Sequence, residues 1–276
     1  MEKEDSLQRG LFLHIQKTAG TSIVDLARIA YGNENVVSHG DYLVGCRDRT
    51  LDKIVDSRGQ SPRDFQDIPF VSGHFGYDFA RSLLSGRYSF TFLRDPAERI
   101  LSYYYFSRSR DPEEYEIYAL AQKLTLDEFL ALGLEKPALK ACIWNNQAWQ
   151  LAHGYGNSDK RNILMFSEKE ILSLAIQHLD DFSHVGFTET FAEDRDIILK
   201  ELGITPPTEN IVSNATLGRP KRQELSSSSL KLLHELTKLD QELYDVAWAR
   251  FKKGGFWSGF SALVEKLRMK FGAPRS

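Results

Sequence analysis

The sequence predicts an α/β protein, a single domain with a central, mainly parallel sheet flanked by helices and a P-loop-like phosphate-binding turn. Three observations carry this expectation. Short continuous apolar runs, the mark of strands buried on both faces, alternate with segments of helical periodicity. The first run, Leu11–Ile15, leads directly into Gln16-Lys17-Thr18-Ala19-Gly20-Thr21-Ser22, a hydroxyl-rich turn that opens a helix. A later run, Tyr88–Leu93, stops on Arg94-Asp95-Pro96, a charged strand end followed by a strong helix start.

Taken in order, Ile23, Leu26, Ala27 and Ala30 fall at helical spacing, and Gly32-Asn33 closes that helix. Residues 40–67 mix charges around Gly45, Gly59 and Pro62 and read as surface loop with a short helix. Ile68–His74 is a second strand, ending on Gly73-His74, and Tyr77–Leu84 a short helix. Tyr88–Leu93 is the third strand. Asp95 caps a helix that reaches about Arg108. Residues 111–152 read as mostly helical, and Asn162–Phe166 as another buried strand. The helix Glu168–Leu179 and a fifth strand, His184–Phe187, follow. A helix over Glu193–Leu202 ends at Gly203 and Pro206-Pro207. After a polar loop from Ser213 to Glu224, Leu230–Phe251 is the clearest amphipathic helix.

Composition narrows the class. A chain of 276 residues with 42% hydrophobic and 12% aromatic content can bury a full core. No internal repeat or linker divides it, so residues 1–276 read as one domain. Within it, residues 1–10 form a flexible charged N-terminus and 252–276 an amphipathic basic helix. The net charge of −3 offers no broad basic field, which argues against nucleic acid as a partner. Cys46 and Cys142 are too few for a disulfide scaffold, and the sequence shows neither a signal peptide nor a spanning run. A reducing, cytoplasmic setting is expected. Phe256, Phe260, Leu263, Val264, Leu267 and Phe271 share one face of the last helix, with Lys266, Arg268 and Lys270 on the others. That face would dock on the domain's own core or make weak contact with a membrane surface.

The Lys17 turn carries chemistry. Backbone amides at a helix start are unpaired and the helix dipole places partial positive charge there. Lys17 adds a full charge, and Thr18, Thr21 and Ser22 add hydroxyls. The order is not that of a Walker A loop, because Lys17 precedes Gly20. An ordinary strand-to-helix turn with an exposed lysine would carry the same letters. Arg94, at the carboxyl end of a strand where open α/β sheets bind ligands, is suited to bidentate phosphate recognition. Ser102 lies about two turns along the next helix and could flank the same pocket; the alternative is that Arg94 pairs with Asp95 or Glu98. His74 follows another strand end, where an imidazole suits proton abstraction from a hydroxyl. His14 reads as a satisfied core histidine, and the histidines show no metal-ligand spacing, so no metal is expected. Asn145-Asn146-Gln147 reads as a polar helix surface or as part of the acceptor side, and Trp144, Trp149 and Tyr103–Tyr105 as core or as the wall of an acceptor cleft.

Taken together, HIQKTAGTS and FLRDPAERILSYYYF resemble the sulfotransferases that include the heparan sulfate 2-O- and 6-O-sulfotransferases. Weaker similarity continues through SGHFGYDFA, HVGFTE and KLDQELYDVAWARF, covering roughly residues 11–251. Gln16 stands where that family usually has Pro. The resemblance implies 3′-phosphoadenosine-5′-phosphosulfate (PAPS) as donor and adenosine 3′,5′-bisphosphate (PAP) as product. Lys17, Thr18, Ala19, Gly20, Thr21 and Ser22 match the 5′-phosphosulfate loop, with Lys17 near the bridging oxygen. Arg94 and Ser102 match the 3′-phosphate site; Arg219, Lys221 and Arg222 match a late basic loop over the nucleotide, or else form a solvated charge cluster. His74 matches the catalytic histidine. The expected reaction is in-line sulfuryl transfer to an acceptor hydroxyl. The acceptor-side segments are mixed (Arg47–Arg63) or acidic (Asp111, Glu113, Glu114, Glu116), which disfavours a highly sulfated glycan. A neutral glycan, a lipid-linked sugar, a small hydroxylated metabolite or a carrier-bound acyl chain remain open. The rival readings are a nucleotide or small-molecule kinase, which would need Mg²⁺ ligands, and a noncatalytic nucleotide-binding relative.

Overall fold

A computed structural model of the chain describes residues 7–38, 62–155, 162–207 and 222–252. They build around one sheet of five strands, all parallel, in the order β2-β3-β1-β4-β5. These are β1 (Gly10–Leu13), β2 (Val36–Val37), β3 (Phe70–Gly73), β4 (Tyr88–Leu93) and β5 (His184–Phe187). The strands after β1 first lie to one side of it and then, from β4 on, to the other. Ligands in open α/β sheets bind at such a switch point, outside the carboxyl ends of the strands.

Alternation along β1 divides the two layers. Leu11, Leu13 and Ile15 enter a large core shared with most of the helices. Phe12 joins a smaller core with Ile23, Val24 and Ala27 of α1 (Thr21–Tyr31) and Ile198 and Leu199 of α9 (Phe191–Glu201). Both faces are buried, which is why β1 reads as an unbroken apolar run. The large core takes in α2 (Tyr77–Ala80), α3 (Pro96–Arg108), α4 (Glu116–Lys123), α5 (Leu126–Glu135) and α6 (Pro137–Ile143). It also takes in α7 (Asn146–Ala152), α8 (Glu168–His178) and α10 (Ser227–Phe251).

Local signals explain the best-defined helices. Asp95 caps α3 by accepting from the Glu98 N–H at 2.9 Å, with Pro96 at the first helical position. Thr125 and Glu128 form a capping box at the start of α5. Gly32, at φ 85°, closes α1.

The fold class is the expected one, with two corrections. Asn162–Phe166 is not a strand. Ile163–Met165 form a single 3₁₀ turn in which the Asn162 side chain accepts from the Leu164 N–H at 2.9 Å, and Leu164 and Met165 are exposed. The fifth strand is instead β2, two residues long and too short to show a period. The segment from 111 to 152 divides into four helices, α4 to α7. The basic C-terminal helix, Cys46 and most of the mixed loop over 40–67 lie outside the described residues. Among the described residues, no helix is long and apolar enough to cross a membrane.

α7 and α2 meet at a close backbone approach. A Cβ added to Gly76 would lie 2.2 Å from the Gly154 Cα and the His153 carbonyl oxygen, while the Asp78 N–H donates to that same carbonyl at 3.0 Å. Because the obstacle is backbone, Gly76→Ala should destabilise the protein by about 1–3 kcal/mol, read from denaturant unfolding. An unchanged midpoint would mean that α2 and α7 are not in contact as described.

Candidate active site

The sheet's register assembles the site. β1 pairs with β3 so that Leu13 lies opposite Gly73, and the His14 N–H extends that ladder to the Gly73 carbonyl at 2.9 Å. The next residues on each strand, His14 and His74, therefore become neighbours, with ring centroids 4.6 Å apart. On the other side, Leu13 lies opposite Thr91, whose hydroxyl donates to the Leu13 carbonyl at 2.9 Å. Arg94 emerges just beyond, and its Nη1 donates to the Lys17 carbonyl at 3.0 Å. Lys17, Arg94 and His74, far apart in sequence, are thus gathered at adjoining strand ends.

The turn itself is strained in a defined way. Lys17 and Ala19 both have φ 69°, a left-handed conformation that costs a non-glycine residue roughly 1–2 kcal/mol. Successive residues in alternating conformations turn neighbouring amides toward one side, the geometry of an anion-binding concavity. Thr18 is fully buried and its hydroxyl donates to the Ile15 carbonyl at 2.8 Å, so it pins the loop from within. Gly20 is required by space rather than by φ: a Cβ there would lie 2.5 Å from the Phe12 ring and 2.6 Å from His14 Nε2. α1 starts after Gly20 without a side-chain cap. Thr21, exposed, and Ser22, buried, occupy its first turn.

Positive charge is concentrated here. Lys17 Nζ sits 3.8 Å from the centre of the Phe106 ring, on the face of α3 that also carries Ser102 one turn earlier. Burial, and then the positive charges of Arg94 and Arg110, push the Lys17 ammonium down to about 8. Arg110 lies just past α3, over the same Phe106 ring at 5.3 Å, and pairs with Glu114 at 3.8 Å. Lowering Lys17 by like charge and desolvation stores a free-energy cost that an incoming anion would relieve.

His74 is placed as a base would be. Its Nδ1 lies 2.6 Å from the His14 carbonyl oxygen, which can only accept, so Nδ1 carries the proton and Nε2 is the basic atom. Burial pushes its pKa down to about 4; the bond to the His14 carbonyl works against that shift, and the Lys17 charge adds to it. The imidazole is neutral at neutral pH.

His14, expected to be an ordinary core histidine, stacks on Phe12 at 4.7 Å and lies between the turn and His74. Ser102 is buried on α3, two turns along the helix that Arg94 precedes. Asp95 caps α3 and pairs with Arg222 at 3.7 Å. That contact brings Arg222 to the edge of the site, while Arg219 and Lys221 lie outside the described residues.

Asn145, Asn146 and Gln147 are not a polar surface but are fully or almost fully buried. Trp144, Trp149, Tyr103 and Tyr104 are core residues. Phe106, Arg110 and Gln150 escaped the sequence reading, and Gln147 was read without its partners. Phe106 was detectable from its spacing one turn after Ser102 on the helix face. Among the described residues, no cluster of His, Cys, Asp or Glu could hold a metal ion.

A parallel sheet with a lysine-bearing turn at its switch point carries an arginine on the next strand end and a histidine on the third. The family model described as the sulfotransferase family matches residues 8–247, and the chain belongs to that family. A comparison with curated proteins found no match.

Acid should unfold this arrangement. His14, His74, His153 and His178 all have folded values below the ordinary 6.5, so below that pH the unfolded chain binds more protons. Asp194, lowered from 3.8, adds to the loss only below that pH. Asp240, raised by burial to about 6, opposes it between 3.8 and 6, but is a single group. The melting temperature should therefore fall steadily between pH 7 and pH 4.5; a flat or rising curve would contradict buried neutral histidines.

Proposed function

We propose that the protein transfers a sulfuryl group from PAPS to an acceptor hydroxyl, leaving PAP. The observation that carries this reading is the gathering of Lys17, Arg94 and His74 at the switch point, a base beside a cluster of cations. The residues present suit the donor. Lys17 and the concave turn fit its 5′-phosphosulfate; Arg94 and Ser102, on an adjoining strand end and helix, fit its 3′-phosphate. Arg222, beside Asp95, extends the cationic rim.

When bound, the donor supplies a sulfuryl group already activated by its attachment to phosphate. His74 Nε2 takes the proton from the acceptor hydroxyl as its oxygen forms the new bond to sulfur. The bond from sulfur to the bridging phosphate oxygen breaks in line with it. Lys17 and the amides of Thr18–Ser22 hold the charge that grows on the departing phosphate, and being already oriented they need no reorganisation. Arg94 and Ser102 fix the far end of the nucleotide, making the encounter effectively unimolecular. No metal is invoked in these steps. The acceptor class is a hydroxyl on a neutral glycan, a lipid-linked sugar, a small metabolite or a carrier-bound acyl chain, because Asp111, Glu113 and Glu114 follow α3 close to Arg110 and would repel a polyanion.

Transfer of labelled sulfate from PAPS to a panel of such acceptors tests the reading. With an acceptor found, Lys17→Ala should lower turnover by about 10²–10³-fold and His74→Ala by about 10²–10⁴-fold, each with a native melting transition. Near-normal turnover of either variant would overturn its assigned role.

Anion binding should also return Lys17 toward its ordinary value of 10.5 from about 8. PAP binding at pH 8 is then expected to take up protons, seen as a dependence of calorimetric enthalpy on buffer ionisation heat. The uptake should vanish in Lys17→Ala, and its absence in the unsubstituted protein would contradict the electrostatic account.

A further inference from the structure

α7 lies across the carboxyl edge of the sheet and presents two glutamines three residues apart, on one helical face. Gln147 grips the backbone of Arg94 from both sides. Its Oε1 accepts from the Arg94 N–H at 3.0 Å, and its Nε2 donates to the Arg94 carbonyl at 2.9 Å. Gln150 donates its Nε2 to the Phe75 carbonyl at 2.9 Å and to the His14 carbonyl at 3.2 Å. Those two carbonyls bracket His74: Phe75 follows it in the chain, and His14 receives its Nδ1–H. One short helix thus ties together the ends of β4, β1 and β3.

Local capping does not place α7. Asn145 precedes it at φ 42° and gives it no side-chain cap. Asp240 of α10 accepts from the Gln147 and Ala148 N–H groups at 3.3 and 2.7 Å, while Asn145 Oδ1 accepts from Leu239 and Asp240 N–H at 2.8 and 3.1 Å. α10 holds α7, and α7 holds the strand ends. Both glutamines are 0% exposed, so a hydrogen bond lost there is not replaced by water. A side-chain amide carries both the donor and the acceptor needed to close a two-bond ring with a backbone residue without taking up a proton.

We infer that Gln147 and Gln150 are positioning residues, Gln147 acting through Arg94 on donor binding and Gln150 through His14 and Phe75 on the base His74. The inference rests on the roles proposed above for Arg94 and His74. Gln147 fixes where the Arg94 guanidinium leaves the strand. Gln150 anchors the carbonyl that keeps His74 in its Nδ1–H form. The two amides therefore act on different steps although they share one helix.

The test uses PAP as the probe, by calorimetry, together with ¹⁵N NMR of the histidine rings. In Gln147→Met, which keeps the shape and removes both hydrogen bonds, the dissociation constant for PAP should rise about tenfold. Gln147→Glu keeps the acceptor for the Arg94 N–H and should fold where the methionine variant does not; its affinity should fall between the two. Gln150→Met should leave PAP affinity within about twofold but shift His74 away from a single Nδ1–H tautomer. Wild-type affinity in a folded Gln147 variant, or an unchanged His74 tautomer in Gln150→Met, would overturn the inference alone. Failure of the unsubstituted protein to bind PAP would overturn the donor reading and this inference with it.

Discussion

The His14 carbonyl is the atom on which the site depends. It lies at the end of β1, the central strand, and accepts from both His74 Nδ1 and Gln150 Nε2. Through it the register of two strands becomes the tautomer of a side chain. Parallel pairing decides which residue stands beside which, so a shift of β3 by one residue against β1 would move His74 away from this carbonyl and turn the side chains of β3 to the opposite faces. Burial of both faces of β1 makes such a shift costly. The chemistry is thus secured by the same apolar packing that secures the sheet.

Like charge is concentrated at the turn. Lys17 shares a partly desolvated space with Arg94 and Arg110, and two residues of the turn adopt left-handed backbone. These costs are borne by the fold, through Thr18 bonded to Ile15, Gly20 pressed against the Phe12 and His14 rings, and Phe106 under the ammonium. Strain and like charge held at one place by surrounding structure would suit a ligand of opposite sign, as the proposed donor is. His74 and Lys17, both lowered by burial, complement one another: the imidazole stays neutral and basic, and the ammonium gains from every negative charge that arrives.

Much of this was legible from residues alone. β4 and α3 were read at their true bounds because a continuous apolar run meets an Asp-Pro start, both local signals. Lys17, Arg94 and His74 could be found because each stands just after a strand. Asn162–Phe166 was misread because an apolar run of strand length looks the same whether or not a sheet is there to receive it; in the fold, Leu164 and Met165 face solvent. The roles of Gln147 and Gln150 were hidden for another reason. Their partners are backbone atoms, 53 residues away at Arg94 and 136 at His14, and a backbone atom leaves no mark in a sequence. A buried amide and an exposed one are the same letter until the strand ends are placed.

Membership in the sulfotransferase family leaves the donor as the central claim, since a kinase would use a similar sheet and a phosphate-binding turn for ATP. The two differ in what the site must hold. An arginine and serine on α3's side suit a 3′-phosphate that ATP does not have, and the lysine precedes the glycine rather than following it. Thermal unfolding of the unsubstituted protein with either nucleotide separates them most directly. The account predicts that PAP raises the melting temperature in a concentration-dependent way without any divalent cation, and that ATP with Mg²⁺ does not. Stabilisation by ATP with Mg²⁺ and none by PAP would contradict it.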